Sequence, residues 1–519
     1  MKKIISSLLA IFMILTVATV AVAAVDYDQP IERGTYGVSE YRIPALYTLE
    51  NGAVISLADM RYDHGADSPN NIEILAAVSP NGYTDWKYTV LNHFDDYADG
   101  VTATASASFI DSAVVQSSTG RIFVISDAQP AGCGYSKCER GSGFITVDGK
   151  PHMLLTTGNS TDEMSSFDYY IGDFTNGYAP VLKVADNSVT EYSVDAELNL
   201  YKNGAPMTMK QRGSEGVVVH QNVFYADAAL KCFCTTYLWM RYSDDNGATW
   251  SSPVILTGQV KTDNEYFLGI CPGRGIVTTL DDGTERIIFT VYDNGNIGWN
   301  AVENVSTIYS DDNGVTWKRG AETIPAMGVG KTSESQIVDL GGGTLRMFAR
   351  NSSNYIAYAD STDYGVSWGD FIADENLNAM GNCMCSFINT SKTIGGKKVI
   401  LGSFASNPAS RADGVIKVGL VNANKTIDWV STYKLTQGSF FAYSCMTELA
   451  DGNFGILYED EASHIEYLVF SVDENGNISE VNGNDPVTET VEKELTVWEK
   501  IVKFFNDLIF KIQKFLGFI

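Results

Sequence analysis

The chain has 519 residues, 63 of them Asp or Glu and 36 Lys or Arg, for a formal charge of −27. So acidic a chain has no general attraction for nucleic-acid phosphates or anionic headgroups, and any anion it binds needs a local basic cluster. With 45% hydrophobic, 11% aromatic and only 19% charged residues, it is a globular chain with ample core material and not an acidic disordered tail.

Taken in order, the first element is a leader. Lys2 and Lys3 precede an apolar stretch from Ile4 to Ala24 that ends in Ala21-Val22-Ala23. This pattern predicts a secretory signal peptide over 1–24, with an uncleaved membrane anchor as the alternative. A secreted location, with or without cell-surface attachment, is the matching expectation.

From Tyr27 to Val472 there are few helical periods and many short β-like runs, such as Ala53–Leu57, Arg121–Ile125 and Arg286–Val291. Asn-Gly and Asp-Gly turns at 51–52, 282–283 and 451–452 separate them. Short strands joined by tight turns predict an all-β sandwich, barrel or propeller over 27–472. Residues 133–235 run long and read as a small β-rich insertion. Cys133 and Cys138 are spaced to close a small loop, while Cys232/Cys234 and Cys383/Cys385 suit strand alternation. With five His in the chain, no zinc pattern is completed and no metal site is expected.

Residues 473–490, rich in Asn, Gly, Asp and Glu, read as a linker. Over 491–519, Trp498, Ile501, Val502, Phe505, Leu508, Ile509 and Ile512 follow helical spacing, with Lys500, Lys503, Lys511 and Lys514 on the remaining surface. An amphipathic C-terminal helix is predicted, either contacting a membrane surface or partner or packing on its own domain.

One octapeptide decides among the β architectures. Ser243-Asp-Asp-Asn-Gly-Ala-Thr-Trp250 recurs at Ser310–Trp317, more loosely at Ser361–Trp368, and in degenerate form at Ser79–Trp86. Asp245, Asp312 and Asp363 are placed to accept backbone N–H bonds across a hairpin turn, and Gly247, Gly314 and Gly365 to take positive φ. Such hairpins at long spacing fit the blades of a propeller. The octapeptide is the Asp-box, and on it the sequence resembles the secreted bacterial exo-sialidases (neuraminidases), built on a six-bladed β-propeller.

The resemblance implies a site. Tyr41-Arg42-Ile43-Pro44 is similar to that family's first arginine motif, and Arg350 and Arg411 stand where its second and third arginines are expected. Three guanidiniums suit a substrate with a permanent carboxylate at the reacting carbon. Tyr443, in Phe441-Ala-Tyr443-Ser, resembles the nucleophile, Glu334 in Ser333-Glu334-Ser335-Gln336 its base, and Asp67 in Gly65-Ala-Asp67-Ser68 the general acid, with Asp63 a nearby competitor. A carboxylate nucleophile would be repelled by the substrate's own carboxylate, and sialidases use Tyr instead. Arg61 and Asp111 resemble residues contacting the sugar's hydroxyl and N-acyl groups, and Glu459 the carboxylate that orients the first arginine. The implied activity is release of terminal sialic acid from sialylated glycans with retention, needing no cofactor. Two alternatives stand beside it: an intramolecular trans-sialidase forming a 2,7-anhydro sugar, and a sialoglycan-binding propeller without catalysis.

Overall fold

A computed structural model describes residues 27–481, apart from 39, 63, 102, 296–301, 324–326 and 463, together with 488–490. The predicted leader, the predicted C-terminal helix and Asp63 lie outside the described residues.

Six antiparallel blades follow one another around a ring. The first is Glu40–Thr48, Val54–Arg61, Ile72–Ser79 and Lys87–Asn92; the second is Ser108–Gln116, Ile122–Gln129, Tyr237–Ser243 and Val254–Ile255. In the third, a bend splits the inner strand into Phe267–Ile270 and Ile276–Thr279, both paired with Glu285–Asn294, before Glu303–Ser310 and Lys318–Arg319. Within that bend Gly273–Arg274 crosses over to pair in parallel with the second blade. The fourth blade is Thr332–Gly341, Thr344–Asn351, Tyr355–Ser361 and Ile372–Asn378, the fifth Ser386–Ile394, Lys397–Ala405, Gly414–Val421 and Ile427–Lys434. The sixth is Ser444–Glu448, Phe454–Glu461, His464–Val472 and Ile478–Glu480.

Strands such as Val54–Arg61 and Ile122–Gln129 are buried along their whole length because each blade is covered by a neighbour on both faces. That burial explains their continuous apolar runs. The ring closes where the sixth blade meets the first: Leu46 N–H contacts Cys445 Sγ at 3.2 Å, and Thr48 N–H donates to Thr447 Oγ1 at 3.0 Å. Gln29 fastens the seam by bonding both backbone groups of Tyr467.

The Asp-box turns sit at the far ends of the strands. In each full copy the Ser hydroxyl donates to the Asp and accepts the Gly N–H, while the same Asp accepts the N–H and hydroxyl four residues on. Gly247, Gly314 and Gly365 have φ of 84°, 82° and 82°. The degenerate copy keeps the device with an amide: Asn81 Oδ1 accepts N–H bonds from Tyr83 and Thr84, and Ser79 Oγ accepts that of Gly82.

The insertion carries strands from Phe144 to Cys232 in one curved sheet plus a two-stranded hairpin. It interrupts the second blade between strands that still pair, Ala128 against Tyr237 and Ile122 against Ser243. Its Leu155, Val181, Val194, Leu200 and Phe224 share one core with Ile55, Leu57, Phe109 and Trp239 of the propeller. Phe94 stacks on Phe109 at 4.3 Å and on Phe224 at 5.0 Å, tying the two together.

The stretch read as a linker from 473 onward is corrected in part. Asp473 accepts N–H bonds from Asn475 and Asn477, making a tight turn, and Ile478–Glu480 returns as the outer strand of the sixth blade. Thr488–Thr490 pairs with Ile427–Lys434. Asn, Gly and Asp serve a hairpin turn as well as a linker, so composition alone placed the boundary too early.

Candidate active site

All nine residues singled out in the sequence come to the same end of the propeller. Arg42, Asp111 and Glu334 lie near the starts of inner strands and Tyr443 just before one; Arg61, Arg350 and Glu459 lie at or near the ends of second strands, Asp67 and Arg411 in the loops after them. Register shifts fall beside the inner-strand positions: between Arg42 and Ala45, Ile110 and Ser112, and Thr332 and Ser335. Bulges of this kind re-aim a side chain away from strand alternation. Two residues take a left-handed backbone there, Ile43 at φ 58° and Asp111 at φ 54°. A β-branched residue is strained in that region, and the surrounding bonds hold it.

Those bonds come from buried carboxylates. Glu459, fully buried, accepts Arg42 Nε at 3.1 Å and the Ile43 N–H at 3.0 Å, fixing guanidinium and backbone together. Asp59, also fully buried, accepts Arg61 Nη2 at 2.8 Å and the Asp111 N–H at 3.1 Å. Burial pushes Asp59 up to about 7, against the opposing pull of Arg61. Arg61 Nη1 reaches on to Asp67 Oδ1 at 2.7 Å and to the Gly65 carbonyl at 2.6 Å, so one guanidinium positions the whole loop.

Asp67 is the exposed member, its side chain 69% accessible. Burial of its surroundings opposes its charge, but Arg61, Arg42 and Arg411 together outweigh that and hold its carboxyl below the ordinary value. Arg42 Nη1 lies 3.6 Å away. Asp111 goes the other way: burial, and then the fields of Asp59, Asp127, Glu334 and Asp67, raise it well above the ordinary range.

Opposite stands a tyrosine between a carboxylate and three cations. Tyr443 Oη donates to Glu334 Oε1 at 2.5 Å. Arg350 Nη1 donates to Glu334 Oε2 at 2.9 Å and to Tyr443 Oη at 3.0 Å, while its Nε is held by Asn382 Oδ1 at 2.9 Å. The guanidinium carbons of Arg42 and Arg411 lie 5.6 and 5.4 Å from the Tyr443 ring centre. Burial raises the phenol well above its usual value, Glu334 adds to this, and Arg350 and Arg411 oppose it. The resting phenol is therefore neutral, with its proton aimed at the Glu334 carboxylate. Among the described residues, the Arg411 guanidinium and the Asp111 carboxyl have no hydrogen-bond partner.

Sequence reasoning missed Asp59 and Asn382. Asp59 lies two residues before Arg61 in a strand that reads as plain core, and only the cross-blade bond to Asp111 reveals it. Asn382 had no motif around it.

Known proteins resemble this chain along most of its length. Residues 189–456 match the BNR repeat-like domain family. Over 453 residues, 81% of this chain and 58% of the relative, the sequence is 34% identical to an anhydrosialidase of Macrobdella decora. It is 30% identical to sialidase B of Streptococcus pneumoniae over 81% of this chain and 61% of that one. The chain thus spans about three fifths of the length of these curated relatives. Among solved structures, the leech intramolecular trans-sialidase in complex with 2,7-anhydro-Neu5Ac superposes with a TM-score of 0.78 at 32% identity, over 87% of this chain and 71% of that one. The intramolecular trans-sialidase of Ruminococcus gnavus gives 0.74 at 34% identity, over 85% of this chain and 96% of that one. A sequence that accounts for nearly the whole of one such protein at a third identity shares its descent as well as its shape, and the chain belongs to the sialidase family.

Proposed function

We propose that the chain is a retaining sialidase acting on terminal sialic acid of sialylated glycans. The observation that carries this reading is the Tyr443 hydroxyl held 2.5 Å from Glu334 and 3.0 Å from Arg350. A phenol so buried is a poor acid unless its proton has somewhere to go as it attacks, and Glu334 Oε1 is where it goes.

Arg42, Arg350 and Arg411 receive the substrate carboxylate, with Arg411 free to turn toward it. Tyr443 Oη attacks the anomeric carbon, its proton passes to Glu334, and Asp67 protonates the departing glycosidic oxygen. A bound substrate carboxylate offsets part of the arginine charge that keeps Asp67 ionised, so its proton affinity rises on binding. Asp111, whose carboxyl burial and the neighbouring carboxylates raise well above its ordinary range, faces the remaining sugar substituents. Arg61, expected from the sequence to contact the sugar as well, is fully buried against Asp59, Gly65 and Asp67 and instead positions the Asp67 loop.

The resulting tyrosyl-linked sugar is discharged by one of two acceptors. Water, with Asp67 as base, yields free sialic acid. The sugar's own 7-hydroxyl, deprotonated by the same Asp67, yields a 2,7-anhydro product, and Tyr443 regains its proton from Glu334. We favour the second acceptor, because an anhydrosialidase and two intramolecular trans-sialidase structures are among the relatives at 32–34% identity. Proton NMR of a sialyllactose digest tests this: 2,7-anhydro sialic acid is expected, free sialic acid alone would make the chain a hydrolase, and binding without any release would reduce it to a glycan-binding propeller.

A further inference from the structure

Three of the eight cysteines gather where the insertion leaves the second blade. Cys133 and Cys138 bound a short turn whose middle, Tyr135–Lys137, is a single 3-10 turn. Their sulfurs lie 3.8 Å apart, and both side chains are buried. Cys234, the third, also reaches Cys133 and donates its thiol to the Lys137 carbonyl at 3.4 Å; Cys133 and Cys138, which bound one short turn with their sulfurs in contact, are the pair taken forward, and Cys234 is its competitor. Among the described residues these sulfurs do not belong to any group converging tightly enough to hold a metal ion.

The electrostatics of the pair are asymmetric. Lys261 is buried beside it, its Nζ bonded to Thr235 Oγ1 and, at 2.7 Å, to the Tyr266 carbonyl. Cys138 is held below the usual thiol value, first by donation from Cys133, against burial and with help from Lys261. Burial pushes Cys133, Cys232, Cys271, Cys383, Cys385 and Cys445 upward instead. Cys138 is thus the thiol best suited to act as a nucleophile, with its resolving partner in contact.

The turn between them touches the catalytic end of the molecule. A side chain at Gly134 would bring its Cβ within 2.5 Å of the Ser68 carbonyl, the residue after Asp67. Its neighbour Tyr135 donates to Asn294 Oδ1 at 2.9 Å and to the Glu303 carboxylate, with its ring 5.0 Å from that of Phe267. The turn is a brace between the Asp67 loop of the first blade and the strands of the third.

We propose that Cys133 and Cys138 are a disulfide site, and that the bond locks this brace against the Asp67 loop. The step needs a disulfide oxidant, for which oxidised glutathione serves. The Cys138 thiolate attacks one of its sulfurs and expels a glutathione thiolate. Cys133, giving its proton to that thiolate, then attacks Cys138 and expels the second glutathione. Two electrons pass from the cysteines to the oxidant, and two glutathione thiols leave. The inference is independent of the proposed sialidase chemistry.

The test uses the full chain folded with oxidised glutathione, alkylated under denaturing conditions without reduction and cut with trypsin. Cleavage after Lys137 separates the two cysteines, so the bond joins Ile122–Lys137 to the tripeptide Cys138-Glu139-Arg140, lighter by two hydrogens than the free pair. Dithiothreitol is expected to release both. Separate alkylation of the two peptides, or joining of Cys133 to the Cys232–Arg241 peptide, would overturn the assignment. The locking role has its own readout: the oxidised chain melts about 3 °C above both its reduced form and the Cys133→Ser/Cys138→Ser variant. Equal midpoints in all three would refute the lock even where the bond forms.

Discussion

Replacing Glu334 with Gln isolates the base from its geometry. The side chain keeps its shape, but the amide presents one acceptor and one donor where the carboxylate met two donors, Tyr443 Oη at 2.5 Å and Arg350 Nη1 at 2.9 Å. With its oxygen on Arg350, the amide NH2 faces Tyr443 Oη, which must then accept instead of donate; with the amide reversed, NH2 and Arg350 meet donor against donor. More important, the Tyr443 proton loses its acceptor while the phenol remains buried and hard to ionise. General-base assistance contributes about a hundred- to ten-thousandfold, so kcat is expected to fall by that factor, or about 3 to 5 kcal/mol of barrier. An aryl sialoside with an activated leaving group is the right assay, because its departure needs little help from Asp67 and the tyrosine step is read alone. A modest rise in KM is expected as Arg350 loses its charged partner. A variant that folds, shows an unchanged melting midpoint and retains kcat within about threefold of the parent would refute the reasoning, since a base worth so little is not one.

The other site predictions follow from the same distances. Asp67→Asn should cut kcat on a sialyllactose by about a hundredfold or more while changing it by less than about tenfold on the aryl sialoside, a split that a merely structural loss would not show. Because the arginines hold Asp67 below its ordinary value, its proton-bearing form is scarce at neutral pH, so kcat/KM on the sialyllactose should climb as pH is lowered from about 7 toward 5; a flat profile there would contradict the acid assignment. Arg411→Ala removes a guanidinium with no hydrogen-bond partner among the described residues, and should raise KM about 10- to 100-fold with little effect on the melting midpoint. Asp312→Ala strips the acceptor from Ser310 and Thr316 at the far end of a blade and should cost about 1 to 3 kcal/mol of stability in urea unfolding, with kcat unchanged.

What could be read from the sequence was local. The Asp-box was legible because its Ser, Asp and Gly bond one another within eight consecutive residues, and even the copy at Ser79 betrayed itself by its Trp. The nine candidate residues could be picked out for a related reason: each sits in a short motif, within a strand or in the loop beside one, that brings it to the same end of the propeller. Asp59 could not be, because a lone carboxyl in an apolar strand does not reveal its partners until the first and second blades meet and it is found bonding both Arg61 and the strained Asp111 backbone. Asn382 escaped likewise, its bond to Arg350 spanning a separation of 32 residues. The boundary at 473 failed because Asp473, Asn475 and Asn477 build a turn from the residues a linker favours. The brace at Gly134 and Tyr135 was beyond reach for the reason that hid Asp59: its meaning lies in contacts with the first and third blades.

The claim that Tyr443 carries the sugar is tested most directly by trapping. Incubating the protein with a fluorinated sialosyl fluoride, which slows discharge more than attack, should add one sugar to the intact mass and leave it on the peptide containing Tyr443 after proteolysis. A label on another residue, or turnover of the reagent with no covalent species at any time, would contradict the account.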